Sequence, residues 1–164
     1  MSLFIALFVI VLVGTFAVFT VFVSLFQIYA FAVGHWKGAP FVSSSERHAR
    51  VIMRLADIKI GDTVVDLGSG NGTLLIEAAK KGGRGIGIEI NPFLVWYSRF
   101  RIERSGFKSA VTVQQGDLYR FPLHGAGVVF LYLLPNTIAH LRGKLLEELK
   151  PGSRVVSNGF PIPG

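Results

Sequence analysis

Acidic side chains follow three short apolar segments in the middle of the chain. Asp66, Glu89 and Asp117 each stand at the end of such a segment or a few residues beyond it. Short apolar runs of this kind predict buried parallel strands. The carboxyl ends of parallel strands meet at one edge of a sheet, where ligands of open α/β folds bind. Because carboxylates accept hydrogen bonds, the sequence predicts a site at that edge for a ligand rich in hydroxyl and amino groups.

A glycine-rich loop lies between the first of these strands and the helix that follows it. This glycine loop consists of Gly68, Ser69, Gly70, Asn71 and Gly72. Glycine has no Cβ, so the backbone can approach a ligand closely, and the free N–H groups of a helix N-terminus face the same place. The third glycine comes one residue earlier than in the G-x-G-x-x-G dinucleotide fingerprint. The loop therefore predicts a bound cofactor but disfavours a dinucleotide.

The acidic residue at the end of the second strand narrows the choice of cofactor. Glu89 closes the segment 84–89, which is the position where a carboxylate binds a ribose diol. The ribose, the amino group and the adenine amine of S-adenosylmethionine all donate hydrogen bonds. Three acidic strand ends around one glycine loop therefore suit S-adenosylmethionine better than a pyrophosphate.

The remaining pattern predicts a minimal α/β domain that starts at residue 38. We expect helices at 46–56, 73–81, 93–104 and 137–149, and strands at 64–67, 84–88, 110–114, 127–132 and 154–157. Pro161 and Pro163 then prevent further strand pairing, since proline lacks an N–H group. Two readings stay open: either five strands suffice for this sheet, or the chain is truncated before a further hairpin.

The helix after Glu89 carries both aromatic and basic residues. Asn91 and Pro92 favour a capped start for this helix. Trp96, Tyr97 and Phe100 recur at helical spacing, a pattern that is more typical of a core-facing stripe. We therefore expect these rings in the core and the arginines of the same helix at a solvated or lipid-facing edge.

These motifs resemble those of the class I S-adenosylmethionine-dependent methyltransferases. The segment 66–72 is similar to their first motif, and Glu89 and Asp117 match their acidic residues after strands two and three. The segments 40–45, 91–99 and 149–157 further resemble the small protein-lysine methyltransferases. That group includes an archaeal broad-specificity enzyme and mitochondrial enzymes that act on the adenine nucleotide translocase and the ATP synthase c-subunit.

The resemblance extends over about residues 40–163 and implies a Rossmann-like fold and further site residues. It implies that S-adenosylmethionine also contacts Phe41, Ile90, Asn91 and Leu118, and that the methyl acceptor binds beyond strand four, near Tyr132 and Asn136. Tyr132 fits a plain core position equally well. Methyltransferases that act on the amino groups of nucleobases often carry an Asn/Asp-Pro-Pro-aromatic motif beyond strand four. This chain has Leu-Leu-Pro-Asn there, which disfavours a base as acceptor.

The first part of the chain predicts a single transmembrane helix. The segment 2–34 contains no charged residue, and as a helix with a rise of ~1.5 Å per residue it would reach about 48 Å, more than the ~30 Å hydrocarbon core. A cleaved signal peptide is the rival reading, but no basic residue precedes the run. Residues 1–37 are therefore expected to anchor the domain 38–164. By the positive-inside rule, we expect that domain in the cytoplasm, because the basic residues all follow the apolar run; the first of them are Lys37, Arg47, Arg50 and Arg54.

Composition restricts the partners and the chemistry. The net charge of +7 belongs wholly to the part after residue 34, and it suits either an anionic lipid surface or nucleic acid; the tether favours lipid. Cysteine is absent and the four histidines are scattered, so we expect no thiol chemistry and no metal site. The leading hypothesis is a membrane-anchored protein-lysine methyltransferase with a membrane-associated protein substrate. A lipid or small-molecule methyltransferase and a non-catalytic nucleotide-binding module are the alternatives.

Overall fold

The structure of the protein is a computed structural model that describes residues 2–37 and 46–164. Its elements are α1 (Ser2–Lys37), α2 (Glu46–Leu55), β1 (Thr63–Leu67), α3 (Thr73–Lys80), β2 (Arg84–Glu89), α4 (Pro92–Arg104), β3 (Val111–Gln115), β4 (Val128–Leu131), α5 (Pro135–Glu148) and β5 (Arg154–Ser157). Each predicted strand and helix after residue 45 is present within about two residues of its expected bounds. Phe41, which the resemblance places at the cofactor, lies outside the described residues.

The five strands form one parallel sheet in the order β3-β2-β1-β4-β5. The central strand β1 pairs with β2 on one side and with β4 on the other, so that Leu67 lies opposite both Ile88 and Leu131. Parallel neighbours need crossover connections, and α3, α4 and α5 supply them. This arrangement confirms the predicted Rossmann-like, five-stranded sheet.

Helices cover both faces of the sheet. One face packs α2, α3 and α4 against alternate strand residues such as Val64, Val113 and Phe130. The other face packs α5 against the intervening residues, among them Val65 and Leu131. Because successive side chains of a strand point to opposite faces, the nearly continuous apolar strands supply both cores. The sheet is therefore covered on both faces, and the loops that follow its strands meet at its carboxyl edge.

The described side chains of α1 are exposed, apart from that of Val23, which is partly exposed. Its segment Leu3–Tyr29 is long and apolar enough to cross a membrane, and none of its most apolar stretch is buried against the rest of the chain. Phe26 makes an edge-to-face contact with Phe93 of α4, with ring centroids 5.5 Å apart. The helix thus touches the sheet domain through an aromatic pair near the end of its apolar segment.

The aromatic residues of α4 are not in the core, contrary to the expectation from their spacing. Trp96 is 60% exposed, and Tyr97 and Phe100 are also exposed. The buried face of α4 consists instead of the smaller side chains Leu94, Val95, Ser98 and Ile102. Helix α4 is therefore apolar on two faces, and the face with the smaller side chains is the one that packs on the sheet.

Candidate active site

The glycine loop turns sharply between β1 and α3. Gly68, Gly70 and Gly72 have φ values of 82°, 53° and 74°, in the left-handed region that side chains with a Cβ rarely adopt. The N–H groups of Gly68 and Ser69 both donate to the Ile88 carbonyl oxygen, at 2.8 and 3.0 Å. The left-handed backbone therefore explains why these three positions are glycines, and the two hydrogen bonds hold the loop against β2.

Glu89 joins the glycine loop to the start of α4. Its carboxylate accepts hydrogen bonds from the Gly70 N–H (2.9 Å) and the Asn91 N–H (2.8 Å), and its residue surface is only 8% exposed. A carboxylate offers about four lone-pair sites, so acceptor capacity remains for the hydroxyl groups of a ligand. The structure thus brings Glu89 and the glycine loop together at the carboxyl edge, as predicted.

Asp66 is the buried acid of the site. It lies in β1 and is 3% exposed. Burial raises the pKa of the Asp66 carboxyl from 3.8 to about 7, and the nearby Glu89 carboxylate contributes to that rise. A cation bound beside Asp66 would favour the ionised form of this carboxyl, because an opposite charge nearby offsets the effect of burial. Asp66 is therefore suited to a positively charged or hydrogen-bond-donating part of a ligand.

Space around the loop is limited on both sides. A Cβ on Gly87 of β2 would lie 2.6 Å from Ser69 Oγ and 2.7 Å from Leu75 Cδ1. A Cβ on Gly68 would lie 3.0 Å from Leu133 Cδ2. Glycine at these positions lets the loop sit directly on the strands. Among the described residues, the buried Ser69 hydroxyl has no hydrogen-bond partner, which leaves one donor available beside the loop.

Arg101 holds the far end of the loop, a role that the sequence did not indicate. Its Nη1 donates to the Asn71 carbonyl oxygen (2.9 Å) and to Thr73 Oγ1 (2.8 Å). Arg99, which precedes it in α4, donates to the Val113 carbonyl oxygen at 2.9 and 2.7 Å. Arg101 is partly buried and departs from the expected solvated or lipid-facing arginine edge, whereas Arg99 and Arg104 are exposed, as expected. Contacts across about thirty residues leave no local sequence signal, and only the fold reveals them.

Three predicted site residues lie in the segments beside the acidic pair. The Asn91 side chain accepts from the Phe93 and Leu94 N–H groups and caps α4, as expected. The Asn71 side chain accepts from Thr73 at the start of α3. Ile90 is partly buried between Glu89 and the cap. These residues shape the backbone around the acidic pair.

Asp117 and Leu118 follow β3, on the side of the site beyond Glu89. Asp117 is exposed, and its carboxylate accepts from the Tyr119 N–H at 2.9 Å. Leu118 is partly buried and packs against the core of the α5 face. Because β3 is an edge strand next to β2, this pair lies at the rim of the site and not at its centre.

The proposed acceptor side lies beyond β4. Tyr132 is partly buried and its ring lies beside Gly159, whose added Cβ would be 3.4 Å from Tyr132 Cε2. Asn136 is exposed in the first turn of α5. Between them, Leu133 is buried against Gly68. The segment after β4 therefore borders the glycine loop, with Tyr132 and Asn136 on the opposite side from Glu89.

Known proteins share both the sequence pattern and the fold. Residues 66–164 match the ANTKMT methyltransferase domain. The human lysine N-methyltransferase of the ATP synthase c-subunit is 35% identical over 124 residues, which are 76% of this chain and 53% of that protein. A protein-lysine N-methyltransferase of Saccharolobus islandicus is 35% identical over 127 residues, which are 76% of this chain and 79% of that protein.

A solved structure is similar as well. An RNA methyltransferase from Salinibacter ruber, in complex with S-adenosyl-L-homocysteine, is 42% identical, with a TM-score of 0.69 over 71% of this chain and 76% of that chain. This likeness confirms the predicted class of cofactor, S-adenosylmethionine.

The length of the chain bears on how far these likenesses extend. The chain spans about half the length of the vertebrate lysine N-methyltransferases that it matches. The match to the family begins at Asp66 and includes the glycine loop, Glu89 and the segment after β4. By its sequence and its fold, the chain belongs to the ANTKMT methyltransferase domain family.

Proposed function

We propose that the protein is a membrane-anchored, S-adenosylmethionine-dependent methyltransferase that N-methylates lysine side chains near the membrane surface. One observation carries the methyltransferase part: the buried Asp66 and Glu89 carboxyls flank a glycine loop with three left-handed glycines. Relatives named as lysine N-methyltransferases support the acceptor class. Two of the names refer to the ATP synthase c-subunit and the adenine nucleotide translocase.

Each part of the site has a role toward the cofactor in this proposal. Glu89 accepts hydrogen bonds from the ribose diol while its present bonds to Gly70 and Asn91 hold it in place. Asp66 stabilises the positively charged methionine end. Asp117 and Leu118 border the adenine at the rim. Phe41, outside the described residues, is the remaining contact that the resemblance implies.

The acceptor is a neutral amine held in line with the methyl group. When bound, S-adenosylmethionine supplies an electrophilic methyl group on a sulfonium. A lysine ammonium has a reference pKa of ~10.4 and must lose a proton before it reacts; withdrawal from water favours that loss. Tyr132 and Asn136 are the proposed positioning groups for the amine. The chain's main contribution is then orientation, which accounts for much of the rate in such displacements.

The helix α1 is the proposed anchor, with residues 1–37 as the membrane part and 38–164 as the methyltransferase domain. Basic residues after the apolar segment, including Lys37, Arg47 and Arg50, resist translocation. The domain would then face the cytoplasm. Protease added to intact cells should leave the domain uncut, whereas its digestion under those conditions would overturn this orientation.

Labelling by methyl transfer tests the acceptor. The full chain is incubated with membranes of its own cell and S-adenosylmethionine that carries a radiolabelled methyl group. Label is then measured in protein, lipid and RNA fractions, and protein is hydrolysed to identify methyl-lysine. We expect label in membrane proteins as methyl-lysine, and much less of it with a Glu89→Ala variant. Label confined to lipid would replace this proposal with a lipid methyltransferase.

A second candidate acceptor is RNA. The Salinibacter neighbour is an RNA methyltransferase, and the net charge of +7 is compatible with a polyanionic partner. The RNA fraction of the same experiment decides between the two, because label in RNA and none in protein would favour this candidate.

A further inference from the structure

The outer surface of α4 carries an aromatic face. Its members are Phe93, Trp96, Tyr97 and Phe100, which are 44%, 60%, 37% and 46% exposed. Their spacing of three or four residues puts them on one side of the helix, opposite the buried side chains. A helix that is apolar on both sides is normally buried on both sides, and a contiguous exposed apolar patch indicates a partner or a membrane.

The rings of the aromatic face contact one another. Phe93 stacks with Tyr97 at 6.3 Å, and Trp96 stacks with Phe100 at 6.2 Å, with interplanar angles of 2° and 12°. The Arg104 guanidinium lies 5.7 Å from the Phe100 ring centroid. The face is therefore a continuous row of rings with a cation at one end, the combination that favours the boundary between hydrocarbon and headgroups.

This face is continuous with the apolar surface of α1. Phe26 packs edge-to-face on Phe93, with centroids 5.5 Å apart, and Phe26 lies close to the end of the apolar segment Leu3–Tyr29. If α1 spans the bilayer, Phe93 lies at the level where the span leaves the hydrocarbon. The medium that surrounds the exposed side chains of α1 then also reaches the first turns of α4.

We propose that the aromatic face of α4 docks on the membrane interface, with its rings among the headgroups and upper acyl chains. This inference rests on the proposed role of α1 as a membrane anchor. Asn91 caps α4 and donates its N–H to Glu89, so the docked helix begins directly after the residues that hold the Glu89 carboxylate. Docking therefore holds the carboxyl edge of the sheet close to the bilayer, where it selects acceptors that protrude only a short distance.

Tryptophan fluorescence tests the contact directly. The chain contains two tryptophans, so Trp36→Phe leaves Trp96 as the only one in the full chain. This variant is reconstituted in phosphatidylcholine–phosphatidylglycerol vesicles with phospholipids brominated at different acyl positions. We expect a blue-shifted Trp96 emission that is quenched most by the bromines nearest the headgroup. An unquenched, solvent-like Trp96 overturns the proposal, as does a blue shift that requires high protein density and indicates pairing of two copies.

The converse variant separates this inference from the anchor itself. Trp96→Phe leaves Trp36, near the end of α1, as the only tryptophan. Quenching of Trp36 without quenching of Trp96 refutes docking and keeps the anchor. If neither Trp36 nor Trp96 is quenched, both the membrane anchor and the docking of α4 are refuted.

Activity provides a second test. The double variant Trp96→Ser/Phe100→Ser is compared with Leu55→Ser/Leu146→Ser, which removes two similarly exposed apolar side chains from α2 and α5. We expect the first variant to lose about tenfold or more in kcat/KM for membrane-bound acceptors, since proximity is lost. The affinity of this variant for S-adenosylhomocysteine should stay unchanged. The control variant should keep both its kcat/KM for membrane-bound acceptors and its affinity for S-adenosylhomocysteine. Equal behaviour of the two variants, or a parallel loss of cofactor affinity, contradicts docking.

Discussion

Replacement of Asp66 by asparagine should stabilise the protein while it weakens the cofactor site. The pKa of the buried Asp66 carboxyl is raised from 3.8 to about 7, first by burial and then by the Glu89 charge. One pKa unit corresponds to about 1.4 kcal/mol, so ionisation of Asp66 costs the folded state up to about 4 kcal/mol. Asp66 is almost fully buried, so solvent screening reduces this cost little.

The sign of the effect follows from where the proton is bound. Below pH ~4, Asp66 is protonated in both the folded and the unfolded chain, and no cost arises. Between pH ~4 and the folded-state pKa of about 7, the unfolded chain has lost this proton and the folded chain keeps it. The free energy of unfolding contributed by this group therefore falls as pH rises through that window. Above the folded-state pKa, Asp66 is ionised in both states and the full cost of ionising it in the folded chain lowers the free energy of unfolding.

Denaturant unfolding of the full chain in detergent, followed by circular dichroism at several pH values, measures this difference. We expect the free energy of unfolding of Asp66→Asn to equal that of the parent near pH 4 and to exceed it by a growing amount up to about pH 8. S-adenosylhomocysteine affinity should fall at the same time, because the variant lacks the negative charge. A constant difference in the free energy of unfolding between Asp66→Asn and the parent from pH 5 to pH 8 would refute a raised pKa of Asp66.

Asp62 offers a matched control with the opposite shift. Burial raises its pKa, but hydrogen bonds from the Lys59 N–H and from Arg154 outweigh that effect and keep the pKa of Asp62 below its usual value. Its stabilising contribution is therefore complete above pH ~4 and is lost only as pH falls further. Asp62→Asn should lower stability by a constant amount between pH 5 and pH 8, in contrast to Asp66→Asn.

Three further predictions concern the site and the strand beneath it. Glu89→Ala should weaken S-adenosylhomocysteine binding by about 1.5–3 kcal/mol, and Asp117→Ala by less because its side chain is exposed at the rim; calorimetry that finds the reverse order would contradict the assignment. Arg101→Ala should cost about 1–2 kcal/mol of affinity because Asn71 in the glycine loop and Thr73 at the start of α3 each lose a hydrogen bond, whereas replacement of the exposed Arg104 by alanine should cost none. Gly87→Ala should destabilise the fold by about 1–3 kcal/mol, since its methyl group meets side chains at 2.6 and 2.7 Å; an unchanged denaturation midpoint would refute that contact.

The elements around the glycine loop were predictable because their signals are local. Alternating glycines between an apolar run and a helix pattern permit a left-handed backbone in a tight turn, and all three glycines adopt it. Asn91 followed by Pro92 predicts a helix start, and Asn91 caps α4. The acidic strand ends meet because parallel strands align their carboxyl ends, so the position of Glu89 beside the loop followed from topology alone.

The arginines and rings of α4 were not predictable in the same way. Helical spacing identifies a stripe, but it does not say which of two apolar stripes faces the sheet. Leu94 and Val95 are buried and Trp96 is exposed, and this choice depends on tertiary packing, which the spacing of the residues does not encode. The contact of Arg101 with Asn71 likewise depends on how α4 lies against the start of α3.

The position of α4 relates the cofactor site to the proposed membrane anchor. Glu89 ends β2, Asn91 caps α4, and Phe93 in the first turn of α4 contacts Phe26 of α1. Glu89, the proposed ribose-binding residue, and Phe93, whose ring contacts α1, are thus about one helical turn apart in sequence. If α1 were joined to the sheet only by a flexible linker, the sheet could take any orientation relative to the membrane. An aromatic contact this close to the site limits that orientation. Orientation then becomes part of acceptor choice, since the carboxyl edge reaches only those side chains that lie near the end of the span.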